Sequence, residues 1–259
     1  MLKYLITKLD KFIMFIANLP HNRLNRLRYR YSILDLISKE ATKESVEYIC
    51  KNGSNSVMFG NRFQLLKFII GEYVKNNDYK DKLFLEFGTY KGESINFLSS
   101  LMPEVKFYGF DTFEGLPESF SIWKKGEFDI KGKLPKVNNN VSLIKGYFNE
   151  TLPKFLEEHK EKAAFIHIDC DLYSSTKTIF ENIYDKIIPN TVIQFDEYYN
   201  YPGWKNHEFK AFQEFCKKYS VGYEYIGISL YQVAVVIRSI NNWYFIYYKT
   251  SELKFPLCT

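Results

Sequence analysis

The segment LEFGTYKGES, residues 85–94, constrains the fold of this chain more than any other. An apolar run over 83–87 carries one acidic residue, Glu86, and ends at Gly88. A short turn containing Gly92 leads to Ser94 and the helix-like run 95–102. A strand, a glycine turn and a helix N-terminus in that order suit a nucleotide-like ligand. Glycine lets the backbone approach closely, and the first N–H groups of the helix point outward. The segment is not the dinucleotide pattern G-x-G-x-x-G, because Thr89 and Tyr90 stand where a pyrophosphate needs room.

Further segments repeat the theme. KFYGFDTFEGLPE (106–118) is an apolar run that ends in Asp111, roughly 20 residues after the glycine turn, a spacing that suits ribose hydroxyls. SLIKGYFNETLP (142–153) is a short strand, a glycine and a helix start. AFIHIDCDLYSSTKTIFENI (164–183) is a strand ending in Asp169 and Asp171, then a helix that Ser174 or Ser175 can cap; Asp171 is either a metal ligand or a cap of that helix, the cap being favoured. TVIQFDEYYNYPGW (191–204) is a strand ending in Asp196 and Glu197.

These stretches resemble the class I S-adenosylmethionine-dependent methyltransferases of the macrocin O-methyltransferase group (TylF/MycF-like). The resemblance runs, with gaps, over about residues 83–215. It implies a cofactor site in which Glu86, Gly88, Thr89, Tyr90 and Ser94 face the methionine part of S-adenosylmethionine. Asp111, Thr112 and Phe113 would attend the ribose, Gly146 and Tyr147 the adenine, and Asp169 would close the pocket. It also implies sugar hydroxyls as acceptors and a magnesium ion held by Asp169, Asp196 and Glu197. Glu197 is a departure, standing where the sugar enzymes of the group carry a second aspartate. An all-oxygen set suits a hard cation, which lowers the pKa of a coordinated hydroxyl. Asp169 is then the favoured proton acceptor and His207 the second candidate. His167 lies inside an apolar strand and reads as a core histidine. Tyr198, Tyr199, Tyr201 and Trp204 are candidates for an aromatic wall against a sugar, although core packing explains some of them equally well.

The expected architecture is α/β: a doubly wound, mostly parallel seven-stranded sheet of the Rossmann-like methyltransferase type, with an antiparallel C-terminal hairpin and a helical N-terminal extension. Strands are expected at 83–88, 106–111, 142–146, 163–169, 191–196, 223–226 and 233–239. Helices are expected at 2–17, 31–36, 43–50, 63–74, 94–102, 150–159, 174–187 and 207–218. Residues 1–60 form the extension, 61–240 the methyltransferase domain and 241–259 an aromatic tail. Residues 118–140 have no period and read as a lid over the acceptor.

With 259 residues, 46% of them hydrophobic, the chain can bury one substantial core. A net charge of +5 without a dense basic block argues against nucleic acid. Four scattered cysteines exclude a zinc motif or disulfide framework, read as small core residues, and suit a reducing cytoplasm. Leu2, Leu5, Ile6, Leu9, Phe12, Ile13 and Ile16 share one helical face, with arginines downstream. Packing on the domain or on a second subunit, as in a homodimer, is the favoured reading. Peripheral contact with an anionic membrane is the alternative. The implied partner is a small-molecule or glycan acceptor. The alternatives are a lipid-linked or non-sugar hydroxyl at a membrane surface, and a cofactor-binding scaffold without catalysis.

Overall fold

A computed structural model describes residues 32–120 and 123–241. The expected helix 2–17 and the tail beyond 241 lie outside the described residues. After helix α1 (Ile33–Asn52) come strand β1 (Val57–Met58) and helix α2 (Arg62–Ile69), which runs on as a π-helical turn (Ile70–Val74). Then follow β2 (Leu83–Phe87), α3 (Glu93–Leu101), β3 (Phe107–Asp111), β4 (Val141–Lys145), α4 (Phe148–Glu158), β5 (Ala163–Ile168), α5 (Tyr173–Ile183), β6 (Val192–Phe195), α6 (Glu208–Tyr219), β7 (Gly222–Ile228) and β8 (Val233–Ser239).

The described strands form an eight-stranded sheet in the order β1-β7-β8-β6-β5-β2-β3-β4. All pairings are parallel except those of β8 with β6 and β7. The hairpin is therefore as expected, and the strand count exceeds the expected seven by β1. That strand is two residues long, too short for any alternation to reveal it, and it pairs with Gly227 and Ile228. Residues expected in the N-terminal extension thus contribute to the sheet.

Every residue of β2, β5 and β6 is buried. Continuous apolar runs are what parallel strands need when helices cover both faces. One core cluster holds Leu85, Phe87, Ile166, Ile168, Phe195 and Phe212, and a second holds Phe84, Phe107, Phe165, Leu65 and Ile95. Strand order reverses between β2 and β5, so the ends of these two strands open a crevice.

Two helices expected at 31–36 and 43–50 are one helix, α1, capped by Ser32, whose Oγ accepts from the Asp35 N–H at 3.2 Å. Ser38 and Thr42 interrupt the sequence pattern, but both hydroxyls bond back to carbonyls four residues earlier, at 2.9 and 3.0 Å. In this form they are tolerated inside a helix.

Candidate active site

The C-terminal ends of β2, β3, β5 and β6 surround a cavity of about 600 Å³. Gly88 begins its floor with φ of 93°, and a Cβ there would lie 1.6 Å from the Asp169 carbonyl oxygen. Only glycine lets β2 and β5 approach so closely at their ends. Gly92, with φ of 80°, caps α3, and Glu93 and Ser94 of its first turn line the cavity.

Asp111 does more than was expected of it. Its Oδ2 accepts the Thr89 and Tyr90 N–H groups at 2.9 and 2.7 Å, and its Oδ1 accepts the Phe113 N–H at 2.7 Å. The carboxylate at the end of β3 thus shapes the glycine turn. Asp111 itself, with Thr112, still lines the cavity, as do Gly88, Thr89, Tyr90, Ser94, Tyr147, Asp169, Asp196 and Glu197.

Four expected site residues are not on the wall: Glu86, Phe113, Gly146 and His207. Glu86 is register partner of His167, which is register partner of Gln194, so all three share one face of the sheet. Glu86 Oε2 and His167 Nδ1 lie 2.8 Å apart, and both side chains are buried. Phe113 is 1% exposed. His207 precedes α6 and packs edge-on against Phe120 at 4.5 Å between ring centroids. Burial lowers its pKa, against the pull of Glu118. It is an aromatic packing residue here.

The β5–β6 side concentrates charge. Arg62 Nη1 is 3.6 Å from Asp169 Oδ2 and 3.4 Å from Asp196 Oδ2, and its Nη2 is 3.0 Å from Glu93 Oε2. Gln232 donates to Asp196 Oδ2 at 3.3 Å. His167 Nε2 is 3.7 Å from Asp196 Oδ1. Burial works to lower the pKa of His167, but Asp196 and Glu86 outweigh it and raise it to about 10. His167 is the expected core histidine, satisfied by the carboxylates of Glu86 and Asp196 on its two sides. Asp196 answers in kind: burial would raise its pKa, yet His167 and Arg62 hold it below the usual range.

Asp171 sits in left-handed backbone at φ of 61° and lines the cavity. It does not cap α5, which begins at Tyr173 after Leu172 with no side-chain cap. Ser174 does not cap it either, donating instead to Glu118 Oε1 at 2.5 Å. Burial, with Asp196, pushes Asp171 up to about 7. Glu208, fully buried in the first turn of α6, accepts the Cys170 and Asp171 N–H groups on Oε1 at 3.3 and 3.1 Å and the Glu197 N–H on Oε2 at 3.3 Å. It ties together the loops after β5 and β6, and burial pushes it up to about 8. Burial followed by Asp196 also raises Asp169 and Glu197 well above the ordinary carboxylate range.

The donor set fits a cation. Asp196 Oδ1 and Glu197 Oε2 are buried and accept no hydrogen bond, a costly state for carboxylate oxygens. Single ligand atoms of His167, Asp169 and Asp196 fall within 4.8 Å of one another. Glu197 stands outside that tight group, contrary to the expected trio. A protonated imidazole is a poor ligand, so His167 serves as a charge partner and the oxygens of Asp169 and Asp196 remain for a metal.

The proposed lid divides in two. Asn138 and Asn140 fasten the second half to α3, with Asn140 Nδ2 donating to the Ser99, Met102 and Val105 carbonyls at 2.9–3.1 Å. The first half brings Trp123 and Phe128 to the cavity, with the Trp123 ring tilted against Phe128 at 5.1 Å and Phe128 edge-on to Tyr90 at 5.5 Å between centroids. The aromatic wall expected from Tyr198, Tyr199, Tyr201 and Trp204 does not line the cavity. Tyr198, Tyr199 and Trp204 are core residues, and Tyr198 hydroxyl bonds Tyr225 at 2.8 Å. Of the cysteines, Cys170 and Cys216 are buried as expected, whereas Cys50 is exposed. No helix among the described residues is long and apolar enough to cross a membrane.

Residues 85–198, which run from β2 past the end of β6, match the sequence model of a family described as "Methyltransferase domain". Over that stretch, which is less than half of its length, the chain is similar to a methyltransferase domain. No curated protein matches it by sequence. Among solved structures it is similar to CalS11, a calicheamicin methyltransferase, at 19% identity and a TM-score of 0.56, covering 78% of this chain and 91% of that one. It is also similar to the O-methyltransferase NovP at 20% identity and a TM-score of 0.52, covering 69% and 79%. At these identities the likeness is one of fold.

Arg62 and Glu208 went unread in the sequence. Arg62 follows the Asn61 cap of α2 without a motif of its own, and Glu208 resembles any acidic residue in a first helical turn. The crowding of Asp171, Asp196 and Glu197 is the signal that could have prompted a search for their cations.

Proposed function

We propose that the protein is an O-methyltransferase that moves the methyl group of S-adenosylmethionine to a sugar hydroxyl with the help of a divalent cation. One observation carries this reading: Asp169, Asp171, Asp196 and Glu197 line the same cavity as the Gly88 turn, with a buried oxygen of Asp196 and one of Glu197 that accept no hydrogen bond. A cavity shared by a glycine turn and an oxygen cluster suits a cofactor and an acceptor side by side. The relation of the motifs to the macrocin O-methyltransferase group supports the sugar acceptor.

The turn from Gly88 to Ser94 holds the methionine part of the cofactor, Asp111 and Thr112 hold the ribose, and Tyr147 lies against the adenine. Glu86 acts from behind the wall through His167. Asp169 and Asp196 would hold the cation, with Glu197 beside them, and the bound cation would supply charge that makes an acceptor hydroxyl more acidic. The acceptor oxygen attacks the methyl carbon in line as the carbon–sulfur bond breaks, and its proton passes to Asp169. Glu208 keeps the loops that carry Asp171 and Glu197 in place, and placement supplies much of the rate. Trp123 and Phe128 offer flat faces to the C–H surface of a sugar. Residues 1–60 and 241–259 flank the domain and suit contact with a second copy.

The test is calorimetric titration with S-adenosylhomocysteine, with and without magnesium, followed by transfer of labelled methyl to a panel of sugars, catechols and amines. Cofactor binding together with magnesium-stimulated labelling of sugars is the expected result. Labelling confined to the non-sugar acceptors would overturn the acceptor assignment. Absence of S-adenosylhomocysteine binding would overturn the whole reading.

A further inference from the structure

We propose that Arg62 is an internal counter-cation that competes with the divalent cation for the Asp169–Asp196 pair. The proposal rests on the metal reading above and adds a control element to it. The guanidinium holds one oxygen of each of two carboxylates in the cluster, Asp169 Oδ2 at 3.6 Å and Asp196 Oδ2 at 3.4 Å, through the single atom Nη1, and leaves Asp196 Oδ1 without a hydrogen bond. Its other nitrogen, Nη2, is bound 3.0 Å from Glu93, whose side chain is 71% exposed. Arg62 therefore bridges a sheltered pair of carboxylates and an open one.

Magnesium binds carboxylate oxygen at about 2.0–2.1 Å. A cation that close to both oxygens would meet the guanidinium nitrogen at short range, and the two positive charges repel. Metal entry thus requires Nη1 to leave, and Glu93 marks the side to which the arginine retreats. The aliphatic stem need not move far, because α2 anchors Arg62 at its first residue and the guanidinium carbon rides 5.1 Å from the Phe63 ring. Asp196 keeps two other contacts as the arginine leaves, Gln232 at 3.3 Å and His167 at 3.7 Å. The pair of states is one in which Arg62 neutralises the cluster and one in which a metal does.

Two substitutions should move metal affinity in opposite directions. In Arg62→Gln the competitor is gone, and manganese, read by electron paramagnetic resonance as free against bound ion, should bind roughly tenfold more tightly. In Glu93→Gln the retreat is gone, Arg62 stays on the inner pair, and affinity should fall a fewfold. Glu93 is exposed, so that variant remains informative if Arg62→Gln does not fold. Asp196→Asn serves as the control that removes a ligand. Equal affinity in wild type and both variants, or a loss in Arg62→Gln, would overturn the competition while leaving the metal reading intact. No manganese binding in any of them would overturn the metal reading itself, and the competition with it.

Discussion

The two sides of the cavity treat their carboxylates in opposite ways. At the end of β3, Asp111 accepts three backbone N–H groups within 2.7–2.9 Å. At the ends of β5 and β6, Asp196 Oδ1 and Glu197 Oε2 accept none, and several acidic groups are packed together. The first side spends its carboxylate on shaping a turn and is complete within the chain. The second keeps oxygens in reserve, relieved in part by Arg62 and His167. A side that must hold a ligand of fixed shape gains from internal hydrogen bonds. A side that must receive a cation gains from being left incomplete.

The largest test of this contrast is Asp169→Asn. It should lower kcat by about 10²–10⁴-fold, the usual range for loss of a proton acceptor, while S-adenosylhomocysteine binds nearly as before. Loss of that binding would show that the two sides are not separable. Next in size is Asp111→Ala, which leaves three N–H groups of the turn without their acceptor. Urea unfolding should show a loss of about 2 kcal/mol, accompanied by weaker homocysteine binding. Unchanged stability would mean the turn does not depend on the carboxylate.

The smallest expected effect is a slope in stability with pH. Asp171 and Glu208 have pKa values raised to about 7 and about 8, chiefly by burial. Both bind protons more tightly in the folded state. Their contribution is therefore full below the ordinary carboxylate pKa and is lost as pH rises through 7 and 8. His167, raised to about 10, adds a loss of the same sign above its ordinary value near 6.5. Metal-free protein should therefore be more stable near pH 5 than near pH 8.5. Glu208→Gln, which keeps an oxygen for Cys170 and Asp171, should flatten that slope, as should saturating magnesium. A slope unaffected by both would place the titrating groups elsewhere.

Much of the fold was legible because its signals are local. The buried runs of β2, β5 and β6 and the glycine after β2 announce parallel strands and a ligand-bearing turn within a few residues of each other. What escaped notice had weak or misleading local signals. β1 is two residues long, α1 is crossed by a serine and a threonine, and α5 lacks the side-chain cap that Asp171 and the serines invited. His207 follows a loop near the expected metal and drew attention as a base, yet its ring is spent on Phe120. The Asn138–Asn140 run read as loop because its bonds go to α3, about 40 residues earlier in the chain.

By itself, the sequence determined the class of sheet, the chemistry that could be performed, and the rim on which it would occur, since alternation and strand-end residues are properties of short segments. The tertiary structure alone decided which charges meet. Arg62 and Asp196 are 134 residues apart, Glu86 and His167 are 81 apart, and Glu208 reaches back 38 to Cys170. Whether a carboxylate is a clamp, a partner of an imidazolium or a ligand in reserve depends on what lies within a few ångströms of it. That distance is set by the packing of strands and helices and is written in no single stretch of the chain.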